Sequence, residues 1–181
     1  MRSTLTRRGA LGGAAALALA SCGGGDPPPS AGPRAGSGAG LLSSIVALEH
    51  AAVAAWATIG DQLNGDAAGY ARAIRGRQSE HANQLSKLVR AAGATPPSAR
   101  AASSYAPSFP RLTSTADALH FARDLQERLV RAYFEGLVVL HDTGQRRAVV
   151  EIGAAQAEDL ALVHSLAGDS AAPQAFVTGM S

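Results

Sequence analysis

The sequence contains a single cysteine, Cys22, and few aromatic side chains. One cysteine excludes an internal disulfide and the paired-cysteine zinc sites. Aromatic residues make up only 4% of the 181 residues, whereas hydrophobic residues make up 46%. This alanine-rich composition favours close-packed helices over β-sheets. The length is sufficient for one domain with a core of its own.

Neither sign of charge dominates the chain. The formal net charge of +2 includes Arg2, Arg7 and Arg8, and without the first 21 residues 13 basic side chains oppose 14 acidic ones. Such a balance gives no electrostatic argument for binding nucleic acid, so no nucleic-acid partner is expected. The sequence also lacks a nucleophile–base arrangement and a glycine-rich phosphate loop after a strand. A non-catalytic role is therefore favoured over an enzyme.

The first 22 residues have the pattern of an export signal, with a basic start and the apolar run Ala10 to Ala20. The tetrapeptide Leu19-Ala20-Ser21-Cys22 resembles the bacterial lipobox, in which the cysteine is lipidated and becomes the new N-terminus. The pair Arg7-Arg8 resembles a twin-arginine export signal. An ordinary secretory peptide with a chance arginine pair is the alternative interpretation.

A lipid on Cys22 would determine where the protein resides. No later stretch approaches the roughly 20 apolar residues needed to span a bilayer. We therefore expect an exported protein, anchored by Cys22 to the outer side of the cytoplasmic membrane or to the periplasmic or cell-envelope face. Residues 23–40 are rich in glycine and proline and predict a flexible tether. The expected partners are the membrane and an envelope protein that the sequence does not name, and a dimer is compatible with the pattern.

Residues 41–168 predict four helices, and residues 169–181 predict a polar tail. Apolar residues recur every three or four positions, and Asn64-Gly65, Gly93 and Gly168 are helix-ending signals. The predicted helices span residues 41–63, 67–92, 114–141 and 145–167. Short connections make helices 1–2 and 3–4 antiparallel hairpins, whereas the 2–3 connection of about 20 residues can return along a whole helix. This all-α pattern predicts a ferritin-like four-helix bundle, two antiparallel hairpins joined by a long crossover.

Six polar residues interrupt the apolar stripes of these helices where leucine is expected. Burying such groups is costly unless they bond to one another or to a metal. Ferritin-like di-metal proteins place one Glu on each of two helices and Glu-x-x-His on each of the other two. The chain matches those positions, but three Glu positions are Gln and one His position is Asp. The six residues are Glu49, Gln78, His81, Gln126, Gln156 and Asp159.

These residue types disfavour a two-metal centre, because two divalent ions bring four positive charges and only Glu49 and Asp159 carry negative charge. One alternative is a single Fe, Mn or Zn ion held by Glu49 and His81, with the Gln78 carbonyl or Asp159. The favoured alternative has no cofactor: Glu49 pairs with His81, and the glutamines bridge to Asp159 in a satisfied hydrogen-bond network.

Other polar and aromatic residues on the helices have ordinary explanations. Trp56 and Tyr133 could flank a redox metal, but their helical spacing predicts plain core residues. The neighbouring acids and three histidines fall beside the stripes and are predicted to be exposed. They are Glu80, Glu127, Glu158, His50, His120 and His164.

Four segments resemble bacterial ferritin-like domain proteins of uncharacterised function, many of which look like exported lipoproteins. They are residues 48–56 (LEHAAVAAW), 93–97 (GATPP), 118–126 (ALHFARDLQ) and the tail 173–179 (PQAFVTG). Metal-binding relatives imply that Glu49 and His81 occupy ligand positions. The favoured hypothesis is a scaffold or binding module of the envelope without a complete di-iron site, with single-metal sequestration or oxidant handling as the alternative. A third interpretation assigns partner binding to the loop 93–114.

Overall fold

The structure of the protein is a computed structural model that describes residues 38–169. This range contains four α-helices and two short 3₁₀ helices. No strand occurs within this range. The predicted export signal with Arg7, Arg8 and Cys22, most of the tether and the tail from residue 170 lie outside the described residues. The α-helices are α1 (Gly38–Gly60), α2 (Gly65–Ala91), α3 (Thr115–Gly136) and α4 (Thr143–Ala167).

The helices form two antiparallel hairpins, α1–α2 and α3–α4, which pack face to face. The crossover 92–114 runs back along the bundle, so α3 starts beside the end of α1, where Thr115 Oγ1 donates to the Gln62 carbonyl at 3.1 Å. We call the end where α1 begins and α2 and α3 finish the proximal end, and the opposite end the distal end. The predicted fold class, two hairpins joined by a long crossover, is confirmed.

The core runs the length of the bundle and draws apolar side chains from every α-helix. Leu42, Ile74 and Leu129 are completely buried, and burying each such side chain stabilises the fold by about 1.5–3 kcal/mol. Gly153 lets α4 approach α3 closely, because a Cβ there would lie 3.2 Å from Cβ of Tyr133. Residues 38–169 therefore build their own core, as an independently folding domain requires.

The proximal turn between α3 and α4 differs from the predicted helix boundaries. Helix α3 ends at Gly136 rather than near residue 141, and α4 begins at Thr143 with Asp142 as its N-cap, accepting from the Gln145 amide at 2.8 Å. The Arg146 guanidinium donates to the carbonyls of Leu137 (3.2 Å) and Leu140 (3.1 Å). These bonds satisfy carbonyls that another helical turn would otherwise have used.

Helix α1 begins at Gly38, three residues before the predicted start at Leu41. Its first turn packs on the proximal turn: a Cβ on Gly38 would lie 3.1 Å from Oε1 of Gln145 and 3.4 Å from Leu140. A glycine at this position allows that close approach. The last residues of the tether predicted for 23–40 are thus helical.

The crossover is ordered over the side of the bundle rather than being a bare loop. The Tyr105 side chain is buried; its hydroxyl accepts from the Arg100 amide at 3.0 Å, and the Arg100 guanidinium lies 4.6 Å from the ring centre. Phe109 contacts Phe121 of α3 with ring centres 5.6 Å apart. Such contacts fix the path that returns the chain to the distal end.

By length and composition alone, α1 could cross a membrane, contrary to the expectation that no stretch after the signal approaches this requirement. Its most apolar 18-residue window has a mean hydropathy of 1.4, and 44% of that window is buried inside the bundle. A core helix of a folded domain passes the same test. The buried stripe of α1, from Leu42 to Ile59, packs on the other helices.

Candidate functional site

Three glutamine side chains from three helices form a closed ring halfway along the bundle. Gln78 Nε2 donates to Gln156 Oε1 (2.9 Å) and to Gln126 Oε1 (3.2 Å). Gln126 Nε2 donates to Gln156 Oε1 (3.0 Å), and Gln156 Nε2 donates to Gln78 Oε1 (2.6 Å). All three residues are completely buried. A primary amide both donates and accepts, so three amides can satisfy one another where three carboxylates would repel.

Glu49 of α1 joins this ring through hydrogen bonds from residues of α3 and α4. Its Oε1 accepts from Gln156 Nε2 at 2.8 Å and from the hydroxyl of Tyr133, a short contact. Its other oxygen, Oε2, is buried and has no hydrogen-bond partner among the described residues. The carboxyl group is therefore bonded on one oxygen only, and Oε2 is a candidate ligand atom at the ring; another buried atom without a hydrogen bond among the described residues, His164 Nδ1, lies at the distal end of α4.

The environment of Glu49 favours the neutral acid. Burial raises the pKa of Glu49 to about 8, and the hydrogen bonds from Tyr133 and Gln156 only partly oppose that shift. Burial also raises the pKa of the Tyr133 phenol, with the Glu49 carboxyl adding to the effect, so Tyr133 stays a donor. An ionised carboxylate with one unbonded oxygen is more costly to bury than the protonated acid.

His81 of α2 lies beside Glu49, as predicted; each residue is 16 positions from Gly65 at the start of α2, so the two meet at the same level of the hairpin. Its Nδ1 is 4.0 Å from Glu49 Oε1 and 3.3 Å from Gln156 Nε2. Burial lowers the pKa of His81, and the positive charge of Arg77 lowers it further. The imidazole is therefore neutral at neutral pH, and the contact with Glu49 is not an ion pair between full charges.

Asp159 does not take part in the ring, and the prediction that the glutamines bridge to it is wrong. Arg77 of α2 holds it in a two-point ion pair: Nε donates to Oδ2 at 3.3 Å, and Nη2 makes a short contact with Oδ1. The Asp159 residue is 3% exposed, whereas the Arg77 side chain is 40% exposed. Burial raises the pKa of Asp159, while the hydrogen bond and the charge of Arg77 oppose the rise.

Two aromatic residues predicted as plain core take part in the network. Tyr133 and Trp56 are buried, but the Tyr133 hydroxyl bonds Glu49 and the Trp56 indole Nε1 donates to Gln126 Oε1 at 3.4 Å. Both residues were already on the apolar stripes, with Tyr133 two helical turns after Gln126. These side chains are long enough for their polar ends to reach the level of the glutamine ring, although their Cα atoms lie at other levels of the bundle.

The sequence pattern gives no signal for a structural role of Arg77. Arg77 immediately precedes Gln78 on α2, and a charged residue next to the apolar stripe of a helix ordinarily points into solvent. Only the crossing of α2 and α4 shows that its guanidinium reaches Asp159. The acids predicted to be exposed, Glu80, Glu127 and Glu158, lie on the surface.

The three histidines beside the stripes have different surroundings. His120 is exposed, as predicted. His50 was predicted to be exposed but is half-buried, because the crossover packs beside it and places the Pro97 carbonyl 3.2 Å from its Nε2. His164 is buried, contrary to prediction, because it lies in the last turn of α4 beside the cap and Asp169. Its Nδ1 lies 3.6 Å from Asp169 Oδ2.

The donor set does not fit two metal ions. Glu49 is neutral below about pH 8, His81 is neutral, and Asp159 is compensated by Arg77, so the interior balances its charge without a cation. Two dications would bring four positive charges into a water-poor core, and an ionised Glu49 would offset only one of them. No group of three His, Cys, Asp or Glu side chains suited to a metal ion occurs within residues 38–169. Glu49 Oε2 and His81 provide two donors of the kind that a single ion uses.

Comparison with known proteins shows the family. Residues 42–168 match the family described as "Domain of unknown function (DUF4439)", and the chain belongs to that family. No curated protein matches the chain.

Two solved structures are similar to the bundle. One is a conserved hypothetical protein, rv2844, from Mycobacterium tuberculosis, with 14% identity and a TM-score of 0.65, covering 74% of this chain and 99% of that one. The other is a Dps mutant from Listeria innocua, with 12% identity and a TM-score of 0.64, covering 75% of this chain and 96% of that one. At these identities the likeness shows the fold alone. The protein is a ferritin-like four-helix bundle of the DUF4439 family.

Proposed function

We propose that this protein is an exported, lipid-anchored ferritin-like domain that acts as a non-catalytic scaffold or binding module of the cell envelope. The observation that carries the proposal is the closed ring of Gln78, Gln126 and Gln156. Each buried amide finds hydrogen-bond partners in the other two, so the three glutamines are satisfied without a metal ion. The bundle then serves as a rigid body that presents its surface rather than as a reaction chamber.

The export signal and the lipobox-like segment support the anchored location. Cys22 would carry the lipid, and Arg7 and Arg8 would direct export by the twin-arginine route, which handles folded proteins. In cells that express the full chain, we expect the protein in the membrane fraction and the Cys22→Ser variant in the soluble fraction. Unchanged membrane association of Cys22→Ser would refute the anchor. Replacing Arg7 and Arg8 by Lys tests the route separately, because it should reduce export without altering the lipobox.

A second candidate function is the binding of one Fe, Mn or Zn ion for sequestration or oxidant handling. It is favoured by one observation: Glu49 Oε2 is buried without a partner among the described residues, beside His81. The ionised Glu49 carboxylate and a ring nitrogen of His81 would hold such an ion. The ion would supply Lewis-acid polarisation of an oxygen ligand bound to it.

Metal counting separates the two proposals. The chain from Cys22 onward is loaded with Fe(II), Mn(II) or Zn(II), desalted and analysed for bound metal and for its melting temperature. The scaffold proposal expects no retained metal and an unchanged melting temperature. One equivalent that is lost in both His81→Ala and Glu49→Gln would establish the second candidate instead. His120→Ala, at an exposed histidine of α3, is the matched control for metal held on the surface.

A further inference from the structure

The proximal end of the bundle combines exposed apolar side chains with an excess of positive charge. Val138 in the proximal turn is 80% exposed, and Phe134, one turn earlier, is 53% exposed. A single exposed apolar side chain is ordinary, but these two lie one turn apart with charged residues around them, and an apolar patch with a polar rim indicates an interaction surface. Three of the four large hydrophobic residues exposed in residues 38–169 belong to the α3–α4 hairpin.

Charge is distributed unevenly along the bundle axis. The nine residues of each helix nearest the proximal end, together with the turn 137–142, hold six basic and three acidic side chains. The nine residues of each helix nearest the distal end, with residues 61–64 and 168–169, hold two basic and five acidic ones. The proximal end therefore has a net charge of +3. The distal end has −3, or −2 when Arg77, the ion-pair partner of Asp159, is counted with it. The proximal basic residues are Lys87, Arg90, Arg128, Arg131, Arg146 and Arg147.

The chain leading to Cys22 leaves the bundle from this same end. Helix α1 begins at Gly38, whose backbone lies against Leu140 and Gln145 of the proximal turn and the start of α4. Sixteen residue steps separate Gly38 from Cys22, which can span at most about 55 Å. A bundle held by that tether is confined close to the membrane surface, where even a weak contact is strengthened by the high effective concentration.

We infer that the proximal end, formed by Phe134, Val138 and the surrounding basic residues, is a surface that docks on an anionic lipid bilayer. This inference rests on the proposed lipid anchor at Cys22. Apolar side chains of the turn enter the headgroup region, and the basic side chains meet anionic headgroups. The negative distal end then faces away from the membrane, which fixes the orientation of the domain.

The test supplies the tether chemically, so that it does not depend on lipidation in cells. The chain from Cys22 onward is coupled through its one thiol to a maleimide lipid in vesicles. One set contains phosphatidylcholine alone and the other contains added phosphatidylglycerol. Hydrogen–deuterium exchange is followed in the proximal turn 137–142 and in the distal turn 61–64. We expect exchange in the proximal turn to slow by about tenfold on the anionic vesicles, with no change in the distal turn.

Matched charge reversals identify the surface. Arg90→Glu with Arg131→Glu, both exposed and near the proximal end, should abolish the slowing, as should Val138→Ser. Arg72→Glu with Arg75→Glu makes the same change of charge on the distal half of α2 and should leave it intact. Circular dichroism verifies that each variant is folded. High salt should also remove the effect, because it screens the headgroup charge.

Three results would overturn the docking surface. They are equal exchange in the proximal turn on both vesicle types, slowing of both turns alike, and slowing that requires an added envelope protein instead of phosphatidylglycerol. Failure of the lipid anchor is detected separately by the Cys22→Ser fractionation. A soluble protein in cells with a protected proximal turn on vesicles would contradict the proposed function while leaving the docking surface in place.

Discussion

Replacing a single glutamine of the ring should cost more stability than its own hydrogen bonds suggest. In Gln156→Met the side-chain stem is kept, but Gln78 Oε1 loses the donor that Gln156 supplies, and Gln78 Nε2 and Gln126 Nε2 each lose an acceptor. Each buried polar group left without a partner costs about 1–3 kcal/mol. Some of these groups keep one bond, so we expect a loss of about 2–5 kcal/mol in the free energy of unfolding.

Replacing all three glutamines by methionine should cost less than the sum of the three single changes. The triple variant removes the donors and the acceptors together, so the ring leaves no unpaired amide behind. The indole Nε1 of Trp56 then lacks Gln126 Oε1, and the Glu49 carboxyl keeps its bond from Tyr133. We expect the triple loss to be about 1–3 kcal/mol, no greater than that of Gln156→Met alone.

Urea unfolding followed by circular dichroism at pH 7 measures these differences. Gln84→Met, at an exposed position of α2, is the matched control and should change stability by less than about 0.5 kcal/mol. Additive losses, with the triple variant as unstable as the three single variants summed, would show that the amides act independently and would refute the ring as a unit.

Three other contacts also lead to predictions: the buried Glu49 carboxyl, the Arg77–Asp159 ion pair and the Ser114 cap of α3. Because the pKa of Glu49 is about 8 in the folded protein against 4.5 ordinarily, the folded state holds the extra proton, so stability should fall as pH rises from about 4.5 to 8 and level off above. Full titration of Glu49 accounts for at most about 5 kcal/mol of this loss. The lowered pKa of His81 opposes the loss below pH 6.5, because it makes stability rise with pH there. Melting curves of Glu49→Gln should lack the decline, and an unchanged decline would show that other groups cause it. Arg77→Ala should destabilise by about 1–3 kcal/mol by leaving Asp159 unpaired, a loss that Asp159→Asn in the same chain should partly restore; equal chemical-denaturation midpoints for the single and double variants would contradict the ion pair's role. Ser114→Ala removes the cap that accepts from the Asp117 amide at 3.1 Å and should lower stability by about 1 kcal/mol, whereas Ser98→Ala, exposed in the crossover, should have no effect on the thermal unfolding midpoint.

Much of the fold could be predicted from the sequence because its signals are local. Apolar residues at helical spacing and turn residues such as Asn64-Gly65 and Gly168 mark the helices, and connection lengths decide the topology. The ends were less predictable where side chains from elsewhere satisfy the backbone. Arg146 bonds the carbonyls of the proximal turn and so replaces the last turn of the predicted third helix.

The candidate site was predictable in its members but not in its bonds. A polar residue on an apolar stripe indicates a buried partner, and this singled out Glu49, His81 and the three glutamines. Periodicity contains no information on which long side chain crosses between helices. For that reason the pairing of Asp159 with Arg77 and the bond from Tyr133 to Glu49 required the structure. The metal-ligand role of these positions remains a prediction.

The amide layer also determines how the helices are aligned lengthwise. Alanine-rich helices present smooth surfaces, and such surfaces pack comparably well when one helix slides along another by a turn of about 5.4 Å. Sliding would separate the amides of α2, α3 and α4, which meet at one level only. The variant with all three glutamines replaced by methionine would keep most of its stability but would lose this fixed alignment of the helices. Its nuclear magnetic resonance spectrum would then broaden, because several alignments would exchange.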